Sequence, residues 1–581
     1  MNLSRRLISC LTVCAALGAA APASALNGFL AGKTDPDLKT HTTQIVVMKK
    51  GERTAVSVMP DYQGPIEPFA LVLLVPGDVT ADRVVTIKRE FVDRVDTVSA
   101  PRFHEFWEQD PCDPAPPQQE WERSLKVEGA GFLGGGSISG GGKTAKELFL
   151  DTEAKKKEGE YRFTVLEPGS DVVAWLGKKG YKAPANAAAT VKPYLDQGYR
   201  AVVAEVDPKR IELIGGDRAQ LSPIRFFTEQ PFETIPVKPG QLNSPGKQEL
   251  LVYVLADGRY EVKNYQNQFP PTNVAVDFVV KERMGEFYAA LHDIILSKNP
   301  RTFLTEYVWP TDGCGQPCAS EPLLIHEILS LGGDAFEELV PKAERFPKPP
   351  ELTPEEKAAQ DAELKALKPK ERRERKKQME AERRTVAERK ALLERHKYVL
   401  TRLHYRHDSA SLPEDPKIGP ASGAIEGGVD LPKGQKMEVS SDVKQASENR
   451  LQTRYNHFHP WKPTIQCEHP ERGKWGKSPP DYRGLRKIWV AQDLARKNRK
   501  QIDPQKVVLT SVPALGLGAS AATPAPSASA PTDATEASAA SSSDCGCRVA
   551  GGAPNERNAG MASLVGAALG AFALLRRRRQ R

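Results

Sequence analysis

Five histidines within one stretch of the chain are the side chains best suited to do chemistry. They are His404, His407, His457, His459 and His469. Imidazole nitrogens at this density can hold zinc or copper. However, His404 and His407 lie three residues apart and lack the glutamate that accompanies paired histidines on zinc-hydrolase helices. The sequence therefore favours structural or surface histidines, predicts no cofactor, and keeps His404 and His459 as candidate metal ligands.

Four cysteines lie in the body of the chain. Cys314 and Cys318 can close a local bridge across a Gly-Gln-Pro turn, which leaves Cys112 and Cys467 as a long-range pair. Cys314 and Cys318 could instead form half of a zinc site or a redox dithiol, but the sequence has no second pair with matching spacing. We therefore predict two structural disulfides, formed in an oxidising compartment.

Motifs for nucleophilic catalysis and phosphate binding fail on their spacing. No Gly-x-Ser-x-Gly elbow occurs in the sequence. The glycine-rich stretch 134–144 has Ser137 where a phosphate-binding loop requires glycine, so we predict a flexible linker there. Trp461 could stack on a sugar, although an aromatic residue between prolines more often anchors a loop. The sequence leans toward a non-enzymatic protein, with a secreted metal-dependent hydrolase or a carbohydrate-binding adhesin as alternatives.

Apolar runs predict the elements that must position these residues. We expect strands at 44–48, 54–59, 69–75, 161–166, 199–206, 224–227, 249–255 and 259–262. Apolar residues at helical spacing predict helices at 90–99 and 283–297, with short helices at 172–176 and 191–195. Strands mixed with short helices predict an α+β fold with mixed or antiparallel sheets.

Short motifs spread along the chain resemble a family of secreted bacterial proteins. They include Trp107-Glu-Gln-Asp-Pro-Cys112, Leu221-Ser-Pro-Ile-Arg225, Leu400-Thr-Arg-Leu-His404 and His459-Pro-Trp461. Together they are similar to domain of unknown function 2330, from about residue 28 to about residue 480 with one interruption. That family has no established activity, so the resemblance implies a shared fold and no catalytic residue.

The interruption is the segment 351–397, which is rich in Glu, Lys, Arg and Ala. Glu371 and Arg375 are spaced to pair one helical turn apart, as are Glu380 and Arg384. Only one position in seven is regularly apolar, which does not specify a coiled coil. We predict a solvent-exposed charged helix at about 371–397. A partner-docking helix is the alternative, and the mixed charges disfavour a nucleic-acid-binding arm.

The two ends of the chain carry most of its positive charge. The formal net charge of the 581 residues is +8, and Arg5, Arg6 and the segment 546–581 account for it. The body is therefore nearly neutral and has no overall nucleic-acid-binding footprint. Arg5-Arg6, a short apolar run and Ala23-Ser-Ala25 predict a signal peptide that signal peptidase cleaves after Ala25.

The C-terminus predicts a second targeting signal. Cys545-Gly-Cys547 precedes an apolar stretch at 560–575 and four arginines. As a helix this stretch is about 24 Å long, short against a hydrocarbon core of about 30 Å, which suits a transient membrane anchor. The order resembles the C-terminal sorting signal of myxobacterial surface proteins. The resemblance implies cleavage by a sorting protease near Cys545 or Cys547, with that cysteine open to lipid modification.

The predicted organisation follows from these features. In order, the segments are a signal peptide (1–25), an N-terminal α+β unit (26–127), a glycine-rich and charged linker (128–157), a central α+β domain (158–345), a charged helical insertion (346–397), an irregular part of the family domain (398–502), a disordered Pro/Ala/Ser/Thr stalk (503–544) and the sorting tail (545–581). We expect export through the inner membrane and display on the outer cell surface. The ligand and the oligomeric state do not follow from the sequence.

Overall fold

A computed structural model describes the body of the chain. The described residues are 28–34, 38–112, 160–211, 213–215, 217–244, 246–314, 321–429, 443–476, 487, 490 and 506–508. The predicted signal peptide, the glycine-rich linker, the sorting tail and most of the predicted stalk lie outside these residues. Three residues of that stalk are described: residues 506–508 are helical, and Val508 is buried because its apolar side chain joins a core cluster.

The strands that the structure describes form four sheets. In chain order they are β1 (Gly28–Gly32), β2 (Thr42–Lys50), β3 (Arg53–Gln63), β4 (Phe69–Val75), β5 (Val84–Thr86), β6 (Arg102–Glu108), β7 (Tyr161–Val165), β8 (Arg200–Val206), β9 (Leu213–Gly215), β10 (Arg218–Gln220), β11 (Ile224–Thr228), β12 (Gln248–Ala256), β13 (Tyr260–Val262), β14 (Gln266–Gln268), β15 (Val274–Ala275), β16 (Thr302–Pro310), β17 (Val399–His407), β18 (Ile418–Pro420), β19 (Ala424–Gly427), β20 (Lys444–Ala446), β21 (Arg450–Gln452), β22 (Arg454–His459) and β23 (Trp475–Gly476).

The helices are mostly short. In chain order they are α1 (Arg89–Ser99), α2 (Val172–Lys178), α3 (Ala187–Asp196), α4 (Met284–Lys298), α5 (Ile325–Ile328), α6 (Asp334–Glu338), α7 (Lys342–Arg345), α8 (Pro354–Lys365) and α9 (Pro369–Arg395). The fold is α+β with mixed and antiparallel sheets, so the predicted fold class is confirmed.

The large mixed sheet is organised around β12. This strand pairs with β2 in parallel and with β17 antiparallel, so the sheet joins strands far apart in the sequence. β12 is buried on both faces, because Leu250 and Val252 enter one core cluster while Leu251 and Tyr253 enter another. Its neighbour β17 lies in the segment predicted to be irregular and is a regular nine-residue strand.

A smaller antiparallel sheet, in the order β1-β4-β8-β7, packs on one face of the large sheet. The predicted strand at 69–75 is confirmed, and it is buried on both faces. Leu71 and Leu73 pack into the core between the sheets, and Val72 and Leu74 lie in the cluster that α2 and α3 cover. Each such buried aliphatic side chain contributes about 1.5–3 kcal/mol of apolar burial.

The charged insertion forms two helices, α8 and α9, and α9 confirms the predicted charged, exposed helix. Pro354 and Pro369 occupy first-turn positions, where proline costs no hydrogen bond and its fixed φ favours helix initiation. Arg375 pairs with Glu363 of α8 at 2.7 Å rather than with Glu371, because α8 packs against α9. At the end of α9, Arg395 holds the buried carboxylate of Glu337 with two hydrogen bonds.

A disulfide joins Cys112 to Cys467 across 355 residues, which confirms the predicted long-range pair. It joins the segments that follow β6 and β22 in the sheet β15-β22-β6-β23, where these two strands run parallel. The disulfide therefore links two neighbouring strands that lie far apart in the sequence. Cys314 is also disulfide-bonded and buried. Its predicted partner Cys318 lies outside the described residues, so that bridge stays a prediction.

Replacing both Cys112 and Cys467 by Ser should lower the free energy of unfolding by about 2–5 kcal/mol, because the unfolded chain regains the entropy of a long loop. Urea denaturation followed by tryptophan fluorescence measures the change. The single variant Cys112→Ser should lose a similar amount, since either substitution breaks the bond. A denaturation midpoint equal to that of the native chain in both variants would contradict the structural role of the bridge.

Candidate functional site

One face of the large sheet carries charged side chains in an otherwise apolar layer. On β17, Arg402, His404 and Arg406 alternate and therefore project to the same face. The antiparallel register places Glu249 of β12 opposite Arg406 and Tyr253 opposite Arg402. The opposite face of β17 carries Leu403 and Tyr405, which belong to the inter-sheet core. Strand alternation thus separates a polar cluster from the core.

A β-bulge on β16 supplies the central carboxylate. The pairing of β16 with β17 shifts register between Thr305 and Tyr307, which leaves Glu306 as the extra residue. Such a bulge re-aims a side chain and leaves its backbone without a ladder partner. Here Thr453 satisfies the carbonyl of Glu306, donating from its backbone N–H at 3.0 Å and from its hydroxyl at 2.7 Å.

His404 bridges two carboxylates. Its Nδ1 lies 2.6 Å from Oε1 of Glu306, and its Nε2 lies 2.6 Å from Oε2 of Glu249. Glu306 is fully buried, whereas one third of the Glu249 side chain is exposed. Tyr288 of α4 also donates to Oε1 of Glu306 at 2.7 Å. The imidazole therefore connects an interior carboxylate to one at the surface.

Arg402 completes the environment of Glu306 and ties it to α1. Its Nε donates to Oε2 of Glu306 at 2.6 Å, and a terminal nitrogen donates to Oδ1 of Asp96 at 2.6 Å. Tyr253 donates to the same oxygen of Asp96 at 2.6 Å. Each oxygen of Glu306 therefore has a charged partner, as a buried carboxylate requires.

His292 of α4 lies beside this network without entering it. It is 1% exposed, and neither of its ring nitrogens has a hydrogen-bond partner among the described residues. Its ring centroid lies 4.5 Å from that of His404, nearly perpendicular to it. Glu249, His292 and His404 each offer a ligand atom, and these three atoms lie within 4.8 Å of one another. The site thus contains two imidazoles and a carboxylate, a donor set typical of transition-metal centres.

Burial and neighbouring charges shift the pKa values of the histidines and glutamates in this site. Burial disfavours the charged form of His404, but Glu306 and Glu249 outweigh it and raise the pKa of His404 to about 9. Burial also disfavours the Glu306 carboxylate, but His404 and Arg402 lower the pKa of Glu306 to about 2. The pKa of Glu249 is likewise about 2, since its hydrogen bond to His404 outweighs burial. Burial and the nearby charge of His404 lower the pKa of His292 to about 3.

This arrangement does not suit nucleophilic catalysis. A histidine that activates a serine or cysteine presents one ring nitrogen to the nucleophile. In His404 both ring nitrogens face carboxylates instead. Without a metal, the site is a charge network that joins α1, α4 and the sheet.

The other predicted histidines lie elsewhere. His407 is 1% exposed, and no other described residue forms a hydrogen bond to its ring nitrogens. It follows Leu403 and Tyr405 on the far face of β17. His459 stacks on Trp107 and lies 2.9 Å from a carboxylate oxygen of Glu105, so the structure does not bring His459 into the His404 cluster. His457 contacts a backbone carbonyl at 2.9 Å, and His469 is exposed.

Trp461 is half-buried in a loop. Its backbone N–H donates to Glu108 at 2.7 Å, and its carbonyl accepts from Arg472 at 3.3 Å. Both contacts fix the loop backbone, which agrees with the loop-anchor interpretation of this residue. They provide no specific support for a sugar-stacking platform.

Sequence reasoning did not single out Glu249, His292 or Glu306. His292 lies on a helix whose apolar residues dominate the pattern, and Glu306 depends on a bulge that no local pattern marks. One available signal was the alternation of Arg402, His404 and Arg406 within a strand whose other positions, apart from His407, are aliphatic, aromatic or β-branched. Charged residues at every second position of a central strand require buried partners.

The fold and this site define an α+β protein whose mixed sheet carries an internal glutamate–histidine–glutamate network. The family model described as an uncharacterized protein conserved in bacteria, DUF2330, matches residues 21–418. The chain belongs to this family. The match ends before β22, so it includes the candidate site but not His459, Trp461 or Cys467.

Comparisons with curated proteins and with solved structures give no information about function. No curated protein matches the chain significantly. A crystal structure of baculovirus P35 matches 41% of this chain and 70% of that chain, with 10% sequence identity and a TM-score of 0.21. A likeness of this size carries no argument about fold or function.

Because of this network, the free energy of unfolding should fall both at low pH and at high pH. Glu306 contributes stability above its unfolded pKa of about 4.5, and this is lost as pH falls toward 2. His404 contributes stability below about pH 6.5, and this is lost as pH rises through 9. We expect Glu306→Gln to lower the free energy of unfolding by about 3–5 kcal/mol between about pH 5 and 6.5, because it removes the buried counter-charge of Arg402 and His404.

Urea denaturation at a series of pH values measures this effect. The difference between Glu306→Gln and the native chain should narrow toward pH 3 and again above pH 9. Glu52→Gln, in the exposed turn between β2 and β3, is the control and should leave the curve unchanged. A difference between Glu306→Gln and the native chain that stays constant across the whole pH range would contradict the predicted coupling.

Proposed function

We propose that this DUF2330 protein is exported and displayed on the outer cell surface as a non-enzymatic protein. The observation that carries the proposal is the bond between Cys112 and Cys467. Disulfides persist in secreted and periplasmic proteins and are rare in the reducing cytosol. This bridge closes a 355-residue loop that contains most of the described fold, so folding would be completed where thiols are oxidised.

The chain ends support the same proposal from sequence. The apolar N-terminus with Ala23-Ser-Ala25 suits cleavage by signal peptidase after Ala25. Cys545 and Cys547, the apolar segment 560–575 and the arginines after it suit a transient membrane anchor that a sorting protease removes. These segments lie outside the described residues. Among the residues that the structure describes, no helix combines the length and the apolar character needed to cross a membrane.

The candidate site supports a non-enzymatic role. Its charges are matched within the protein, since Arg402 and His404 neutralise Glu306. Both nitrogens of His404 are engaged by carboxylates, which leaves that imidazole without a free nitrogen for general base catalysis. A network of this kind stabilises the junction between helices and sheet.

Fractionation of cells that make the full chain tests the proposal, with mass spectrometry of both mature termini. We expect an N-terminus at or near residue 26, a C-terminus near Cys545 or Cys547, and digestion of the body by protease added to intact cells. A matched variant, Cys545→Ser with Cys547→Ser, should keep the mature N-terminus but lose C-terminal processing. An unprocessed chain in the cytosolic fraction would contradict export, and an intact tail on a secreted chain would contradict sorting.

A further inference from the structure

We propose that Glu249, His292 and His404 bind one zinc ion where β12, α4 and β17 meet. The inference goes beyond export and display and does not depend on them. Two imidazoles and one carboxylate form the donor set of three-ligand zinc centres, which keep a fourth position for water. Imidazole donors disfavour calcium and magnesium, and the absence of thiolate from the set disfavours copper(I).

His292 is the observation that points to a ligand. A buried imidazole normally satisfies at least one ring nitrogen, because leaving it bare costs about 1–3 kcal/mol. At 1% exposure His292 satisfies neither nitrogen within the part of the chain that the structure describes, and it lies against His404 and Glu249. A metal ion at this position would give one of those nitrogens its partner.

The distances allow the ion to enter with small side-chain movements. Ligands of tetrahedral zinc, each about 2.0–2.1 Å from the metal, lie roughly 3.3 Å apart. The three candidate ligand atoms lie within 4.8 Å of one another. Nε2 of His404 and Oε2 of Glu249 are now 2.6 Å apart and would separate slightly as the ion replaces the proton between them. That proton leaves to solvent, and Glu249 can move because one third of its side chain is exposed.

The residues behind His404 are already arranged as metal sites require. A metal-bound histidine usually donates its second ring N–H to a carboxylate, which fixes the tautomer and the ring orientation. Nδ1 of His404 has that partner in Glu306 at 2.6 Å. Arg402 and Tyr288 in turn hold Glu306 at 2.6 and 2.7 Å. The outer shell behind His404 is therefore complete without the ion.

The local charge also favours a divalent cation. Arg402 pairs with Asp96 and Glu306, and Arg406 contacts Glu249. The nearby Asp293 is paired with Lys247 at 3.2 Å. Apart from that pair, three carboxylates and two guanidinium groups leave a formal charge of −1 around neutral imidazoles, which attracts a cation. A zinc ion would also join α4 to the sheet through His292, so the metal would stabilise the fold.

Zinc titration of the purified, disulfide-bonded chain after chelator treatment tests the proposal. We expect one zinc per chain with a dissociation constant at or below about 1 µM. Replacing His292 by Phe keeps an uncharged ring and removes the ligand, so affinity should fall by about 100-fold or more. His407→Phe is the matched control, because His407 has the same exposure and equally bare nitrogens outside the cluster. It should bind zinc as the native chain does.

A second pair of variants keeps the test decisive if the core substitutions unfold the chain. Glu249→Gln should weaken zinc binding at least about tenfold. Asp293→Asn removes a carboxylate of the same exposure beside the same arginine and should leave binding unchanged. Cobalt substitution should give the intense visible absorption of a four-coordinate site in the native chain and lose it in Glu249→Gln.

Two results would overturn the proposal. The first is no zinc bound below about 10 µM by the native chain. The second is binding that survives both His292→Phe and Glu249→Gln but disappears in Cys545→Ser with Cys547→Ser, which would assign the metal to the C-terminal cysteines. Zinc should also raise the thermal unfolding temperature of the native chain and of His407→Phe, and at the same zinc concentration it should raise that of Glu249→Gln by less.

Discussion

The structure depends on keeping one carboxylate, that of Glu306, ionised in the interior. Burying a single charge costs several kcal/mol unless partners and hydrogen bonds surround it. Glu306 obtains them from β17 through Arg402 and His404, and from α4 through Tyr288. Since Arg402 also reaches Asp96 on α1, elements from distant parts of the chain must meet at one point for the charge to be tolerated. A network of this kind favours one arrangement of helices on the sheet over other compact packings.

The two faces of the central strands contribute differently to the fold. Leu250, Val252 and Leu403 build an apolar layer between two sheets, where packing is dense but chemically uniform. The opposite face combines Leu251 and Leu400 with the buried guanidinium of Arg402. Hydrophobic burial supplies the bulk of the stability, and the charged cluster specifies the register of β16, β17 and α4. The bulge at Glu306 is where these two requirements meet, because it turns a carboxylate toward the polar face.

Local patterns in the sequence predicted the elements well and the site poorly. The apolar run of β4, the helical face of α4 and the proline-started helix α9 each arise from neighbouring residues, so their spacing is visible in one stretch. The long-range pair Cys112–Cys467 followed from counting cysteines. Glu249, His292 and Glu306 come from three separate elements, and only the pairing of β12, β16 and β17 brings them to His404. Pairing over such distances depends on the whole chain, which a single stretch does not reveal.

The parallel pairing of β6 with β22 affects the order in which the molecule is assembled. Both described neighbours of β6, namely β22 and β23, lie in the last part of the described chain, so synthesis exposes both edges of β6 long before either partner exists. Contacts between residues so far apart in the sequence form slowly, since a large loop must close first. Until residues 454–459 have been made, β6 presents open backbone groups that another chain can pair with. A nascent or truncated chain is therefore most open to self-association along β6.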